Sequence, residues 1–252
     1  MQLGVNMAWL EATMLAGVRM AAFLVIAPPF SYNGFPMQVK GMLAVALAIL
    51  VAPRVTDGYT SLDTGPFLLA LVTQLIVGAL LGYLVYLCFA AIQSAGGLID
   101  LFGGFSLSQA FDPGSFVNGA QFTRLMHLIA LALLFVSGGY ELILGGFVRT
   151  FDALPVTGQI DMRDFGGELV NGLTQMFLAA VQIAGPILIV LFLADVGLGL
   201  LTRVAPQMNA FAMGFPLKIL LTLLVAGVVF LALPRIVGAL VDDGLALMGV
   251  TG

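Results

Sequence analysis

Residues 64–99 read TGPFLLALVTQLIVGALLGYLVYLCFAAIQSAGGLI, 36 positions without a single Asp, Glu, Lys or Arg. A helix crosses the roughly 30 Å of bilayer hydrocarbon with about 20 mainly apolar residues. At about 1.5 Å per residue this stretch would reach about 54 Å, too long for one upright span. Asp63 or Thr64 is placed to cap its start, with Pro66 in the first turn, and Gly96-Gly97 are expected to break its far end.

The rest of the chain repeats the pattern. Of 252 residues 61% are hydrophobic and 9% charged, against about 25% charged in a soluble domain. The expected class is an all-α, polytopic membrane protein forming one continuous membrane domain over residues 1–252. Six or seven apolar stretches are expected. The first runs from about Met7 to Ala27 and stops at Pro28-Pro29. The second, Val39 to Ala52, holds about 14 residues before Pro53 and is short of a bilayer. A fourth covers about Gln121 to Phe147, a fifth Leu169 to Ala194 with a kink expected at Gly185-Pro186, and a last one Leu217 to Leu233 before Pro234. The acids fall mostly in connections read as solvated loops, Asp57 to Asp63 and Asp152 to Glu168. No Lys or Arg precedes Arg19, so the start is read as mature protein and not as a basic leader. Basic residues are scattered singly, which leaves the membrane orientation open.

Composition also excludes functions. Nine Lys plus Arg are too few to hold a phosphate backbone, so no nucleic acid partner is expected. One cysteine, Cys88, and one histidine, His127, can build neither a disulfide framework nor a zinc cluster, and no metal or other cofactor is expected. No nucleophile elbow, H-E-x-x-H pair or phosphate-binding G-x-x-x-x-G-K-[ST] accompanies them, so no catalytic residue is expected.

Ionisable residues inside apolar stretches are costly and invite a functional reading. Glu11 and Arg19 lie two turns apart on one helical face, too far for a direct i,i+4 contact, and are read as structural. Asp100, Glu141 and Asp195 each border a glycine-containing segment. Capping or interhelical pairing is preferred for them; a proton-coupled transporter or channel, the alternative, would need all three in one chain of contacts. It would also be expected to carry matching broken helices, which the sequence does not show. The segment from Gly96 to Pro113 is polar, glycine-rich and studded with Phe102, Phe105, Leu107 and Phe111, and is read as a re-entrant or pore-lining loop.

The runs Gly96-Gly97-Leu98-Ile99-Asp100, Gly103-Gly104-Phe105-Ser106 and Phe111-Asp112-Pro113 resemble the central signature of the FliR family, flagellar export-gate subunits related to the SctT proteins of type III injectisomes. Agreement extends to Arg19 through Pro28 with Pro36 and Lys40, to Phe151-Asp152-Ala153-Leu154-Pro155, and to Arg203-Val204-Ala205-Pro206-Gln207-Met208-Asn209-Ala210-Phe211 with Gly214, Pro216 and Lys218. The resemblance implies a non-enzymatic channel subunit in the bacterial inner membrane, at the flagellar basal body. FliP and FliQ would be its partners in the gate, FlhB a contact, and unfolded flagellar proteins the cargo, with energy supplied by partners and the proton gradient. It further implies a FliP-like part over about 1–180 and a FliQ-like hairpin and tail over 181–252. A plug loop would fall on 104–122, carried by Gly104, Phe105, Ser106, Phe111, Asp112 and Pro113. A cytoplasmic-entrance loop would span Arg203 to Lys218 and include Pro206, Gln207, Asn209 and Phe211.

Overall fold

In the computed structural model the uncharged stretch is one helix that runs further than its glycines suggest. The structure describes residues 6–28, 30–31, 35–105, 121–157, 162–205, 207 and 210–249. Among these it forms seven helices: α1 (Met7–Ile26), α2 (Met37–Val55), α3 (Thr64–Phe102), α4 (Gln121–Val136), α5 (Gly139–Ala153), α6 (Met162–Val204) and α7 (Ala210–Leu247). Five are long and apolar enough to cross a membrane, six if α4 and α5 count as one broken span. The protein is an all-α, polytopic membrane protein.

Several expected boundaries are corrected. Gly96 and Gly97 lie inside α3 and do not break it. Gly96 is pressed by a neighbour, since a Cβ there would lie 2.6 Å from the Thr123 backbone, whereas one on Gly97 would make only an ordinary 3.7 Å contact with the Thr123 hydroxyl. α2 is 19 residues long and runs through Pro53 to Val55, about 28 Å and a full span. Its end is closed by the Thr56 amide and hydroxyl, which donate to the Ala52 carbonyl at 3.0 and 2.8 Å.

The fourth stretch is two helices, bent by 74° where Gly138 takes φ +72°, a conformation open to glycine at little cost. α5 then continues past Phe147, so Arg149 and Asp152 belong to a helix and not to a loop. Glu168 is likewise helical, in α6. Prolines 186, 216 and 234 are all accommodated within α6 and α7, as membrane helices tolerate.

Residue contacts divide the chain into two compact units, interleaved in sequence. The first comprises Met1–Cys88, Ser137–Gly172 and Leu240–Gly252; the second comprises Phe89–Val136 and Leu173–Ala239. In the first unit α1 and α3 run parallel. Gly78 lies under the Arg19 carbonyl, which an added Cβ would strike, and a Cβ on Gly82 would come 3.1 Å from the Phe23 carbonyl. α2 returns alongside α1, with Ala48 facing Gly17. Leu245 and Met248 close over Gly146, and Leu247 lies beside Gly172.

In the second unit the ends of α6 and α7 run antiparallel. Asp195 pairs with Lys218, and Leu198 faces Gly214. Moving three residues along one helix matches moving four back along the other.

Candidate functional site

Gln93, Gly97 and Asp100 recur at the spacing of one helical face on α3. Opposite them, Thr123 and His127 are four apart on α4. Gln93 Nε2 lies 2.7 Å from His127 Nδ1. Asp100 Oδ1 accepts the Phe122 amide at 2.9 Å, while Oδ2 accepts the Thr123 amide at 2.9 Å and the Thr123 hydroxyl at 2.8 Å. The first turn of a helix has amides without internal acceptors. Asp100, only 3% exposed, supplies them from another helix.

Asp100 therefore fixes the start of α4 to the end of α3, the two elements between which residues 106–120 must run. Gly104 has φ +83°, and a Cβ there would come 3.0 Å from the Phe215 ring. Phe105 packs on Phe122 at 5.1 Å between centroids, and Phe122 stacks with Phe230 at 6.4 Å. Of the plug candidates, Gly104 and Phe105 are placed in this way. Ser106, Phe111, Asp112 and Pro113 lie outside the described residues. The expected irregular segment from Gly96 is corrected to begin after Phe102.

The entrance-loop candidates do not form one loop. Arg203 occupies the last turn of α6, closed by the Ala205 amide on the Leu201 carbonyl at 2.8 Å. Gln207 is exposed in a turn, and Phe211 lies in the first turn of α7. Lys218 is two turns inside α7, its Nζ 2.6 Å from Asp195 Oδ1. Pro206 and Asn209 lie outside the described residues. The expected loop is helical from Ala210 onward, because α7 starts there and carries Pro216 in its second turn.

In the first unit Glu11 Oε2 accepts the Tyr59 hydroxyl at 3.2 Å and the Leu62 amide at 3.1 Å. Burial, then the hydrogen bond to Glu11 and its negative charge, push the Tyr59 phenol up to about 12. Nearby, the exposed pair Arg54–Asp152, at 3.5 Å, borders a cavity of about 250 Å3 also lined by Asp57, Tyr59 and Thr157.

Arg19 is fully buried. Its Nε donates to Gln74 Oε1 at 2.6 Å and its Nη2 to the Leu154 carbonyl at 2.8 Å, while Gln74 Nε2 donates to the Val156 carbonyl at 2.9 Å. The guanidinium lies 4.3 Å over the Phe151 ring. Non-helical carbonyls buried in protein need donors, and Arg19 with Gln74 supplies them where α5 ends.

Glu141 accepts the neighbouring Tyr140 hydroxyl at 2.9 Å. Asp100, Glu141 and Asp195 thus each hold local partners, and these contacts link none of them to another. Among the described residues no three His, Cys, Asp or Glu side chains are grouped to hold a metal.

Sequence reasoning singled out Arg19 and Asp100 but missed Gln74, Gln93 and Thr123. A signal was available for two of them. Gln74 and Gln93 are the only amide side chains in the uncharged stretch, and each meets a distant polar group.

The model that describes bacterial export proteins, family 1, matches residues 10–244. The chain belongs to this family. It is similar to the flagellar biosynthetic protein FliR of Escherichia coli (strain K12), 30% identical over 213 residues, covering 84% of this chain and 82% of the relative. FliR of Bacillus subtilis (strain 168) is 28% identical over 253 residues, 95% and 96% of the two chains. SpaR of Shigella flexneri, a surface presentation of antigens protein, is 30% identical over 200 residues, 78% and 77%. As a family 1 export protein the chain carries Asp100, the P-Q-M-N-A-F run and Lys218 all within the matched residues.

Proposed function

We propose that this chain is the FliR-type subunit of a flagellar type III export gate, joining FliP and FliQ in the bacterial inner membrane at the basal body and contacted by FlhB. Its cargo is unfolded flagellar protein. The observation that carries the reading is a family match running almost from end to end of an all-helical, polytopic chain. The exposed apolar surface of α6 and α7 supports it. Phe192, Leu193, Leu223, Leu224 and Leu231 are all more than half exposed, surface that lipid or neighbouring subunits cover. The subunit works as a channel wall and not as an enzyme. Residues 1–180 are the FliP-like part and 181–252 the FliQ-like hairpin and tail, a division the antiparallel register of α6 and α7 supports. Arg203, Pro206, Gln207, Asn209, Phe211 and Lys218 serve contacts with FliQ or FlhB at the cytoplasmic entrance.

The test is the native mass of the tagged chain with and without co-expressed FliP and FliQ. One copy within a large hetero-oligomer is expected. A chain that stays alone and indifferent to those partners would refute the reading.

The segment 104–122 is the plug. Aromatic side chains close a narrow pore by excluding water, and glycines let the closure yield. Deleting residues 104–112 is expected to make membranes holding the complex leak ions; unchanged leakage with normal assembly counts against the plug.

A further inference from the structure

α1 and α2 leave a groove of about 390 Å3 between them, lined by Thr13, Gly17, Ala21, Gly41, Ala44 and Ala48 among others. It follows α1 from Leu10 to Ala21, about 16 Å at 1.5 Å per residue. Its lining is apolar apart from Thr13, whose hydroxyl donates to the Trp9 carbonyl at 2.7 Å in its own helix. Nothing in the groove asks for a polar ligand.

The glycines of the groove are not explained by packing within the chain. A Cβ on Gly17 would meet Ala48 at an ordinary 3.6 Å, and one on Gly41 would meet nothing within 4 Å. By contrast, Gly78 and Gly96 are pressed by backbone. The space at Gly17 and Gly41 is therefore open to an occupant from outside the chain. Its lining is long, apolar and small-residued, and suits one flexible hydrocarbon chain.

Charge gives the occupant a direction. No acidic residue occurs between Glu11 and Asp57. Lys40 is half-buried and continues the row of groove residues Ala44 and Ala48 at four-residue spacing. It lies in the first turn of α2, which holds no acid and whose end carries partial positive charge. At the opposite end of the two helices stand Glu11, Asp57 and Asp63 with Arg54 as the counterweight. We propose that this groove holds one acyl chain of an anionic phospholipid, with the phosphate at Lys40. The inference goes beyond the export-gate reading and does not depend on it.

The full chain, purified in mild detergent alone and with co-expressed FliP and FliQ, is stripped of lipid and offered equal amounts of phosphatidylglycerol and phosphatidylcholine. Native mass spectrometry then counts the lipid retained. The wild type is expected to keep phosphatidylglycerol about fivefold over phosphatidylcholine, the scale of one lysine at a membrane surface. Lys40→Gln is expected to bring the two lipids to parity. Gly41→Leu fills open space and is expected to lose both lipids at a melting temperature no lower than that of the wild type. An unchanged preference in Lys40→Gln, or undiminished lipid in Gly41→Leu, overturns the proposal. Should Gly41→Leu keep its lipid and shed FliP or FliQ, the groove belongs to a partner helix and the lipid assignment is wrong.

Discussion

Glu11 and Arg19 sit on the same helix face and do different things. Glu11 ties the start of α1 to the 56–63 connection through Tyr59 and Leu62. Because burial first, and Glu11 second, raise the folded Tyr59 phenol to about 12 from about 10, the neutral phenol in this setting stabilises the fold fully below pH 10. That contribution is lost as pH rises from about 10 through about 12. An ultraviolet difference titration of wild type against Tyr59→Phe should show this late phenol, and Glu11→Gln should move it down; a midpoint unmoved by Glu11→Gln would exclude the contact. Sequence reasoning anticipated that Glu11 and Arg19 would not touch, since eight residues separate them. It had no means of finding the Leu154 and Val156 carbonyls, because the reason for burying Arg19 is backbone that leaves its helix 135 residues away. Asp100 was legible as a buried acid beside glycines, but its role as cap depends on where α4 returns.

At the scale of elements, apolar runs located the long helices, merged α4 with α5, and misplaced many of the ends. Pro53 and Pro234 look like stops and Pro186 like a kink, yet each lies within a helix. Protein neighbours and low water activity keep the flanking backbone helical where water would compete for the freed carbonyls. The 74° bend after Val136 was the reverse case. Ser137-Gly138-Gly139 could have flagged it, yet apolar residues on both sides hid the turn. Glycines sort by what presses on them. Gly78→Ala should destabilise the protein by about 1–3 kcal/mol, because its Cβ would meet the Arg19 carbonyl. Gly41→Ala meets nothing and should be neutral or stabilising by up to about 1 kcal/mol. Thermal melting in one detergent checks both, and equal effects would mean that the α1–α3 approach is looser than described.

For the whole molecule, the sequence reads as one continuous membrane domain, while contacts gather it into two interleaved units. That grouping is hard to read locally, since α3, α6 and α7 each contribute to both units. The first unit draws on residues after Ala239, where Leu245 and Met248 cover Gly146. Removing residues 240–252 should uncover α5, so limited proteolysis should cut within 137–172 faster than in the full chain; equal protection would show that this cover is dispensable. The same arrangement imposes an order in time. A ribosome delivers α1, α2 and most of α3 first, yet the unit they found cannot be sealed while Leu245 is still in the exit tunnel. The helices α1 and α2 therefore wait in the membrane while α4 to α7 are made, open during that interval to whatever lipid, chaperone or neighbouring subunit reaches them.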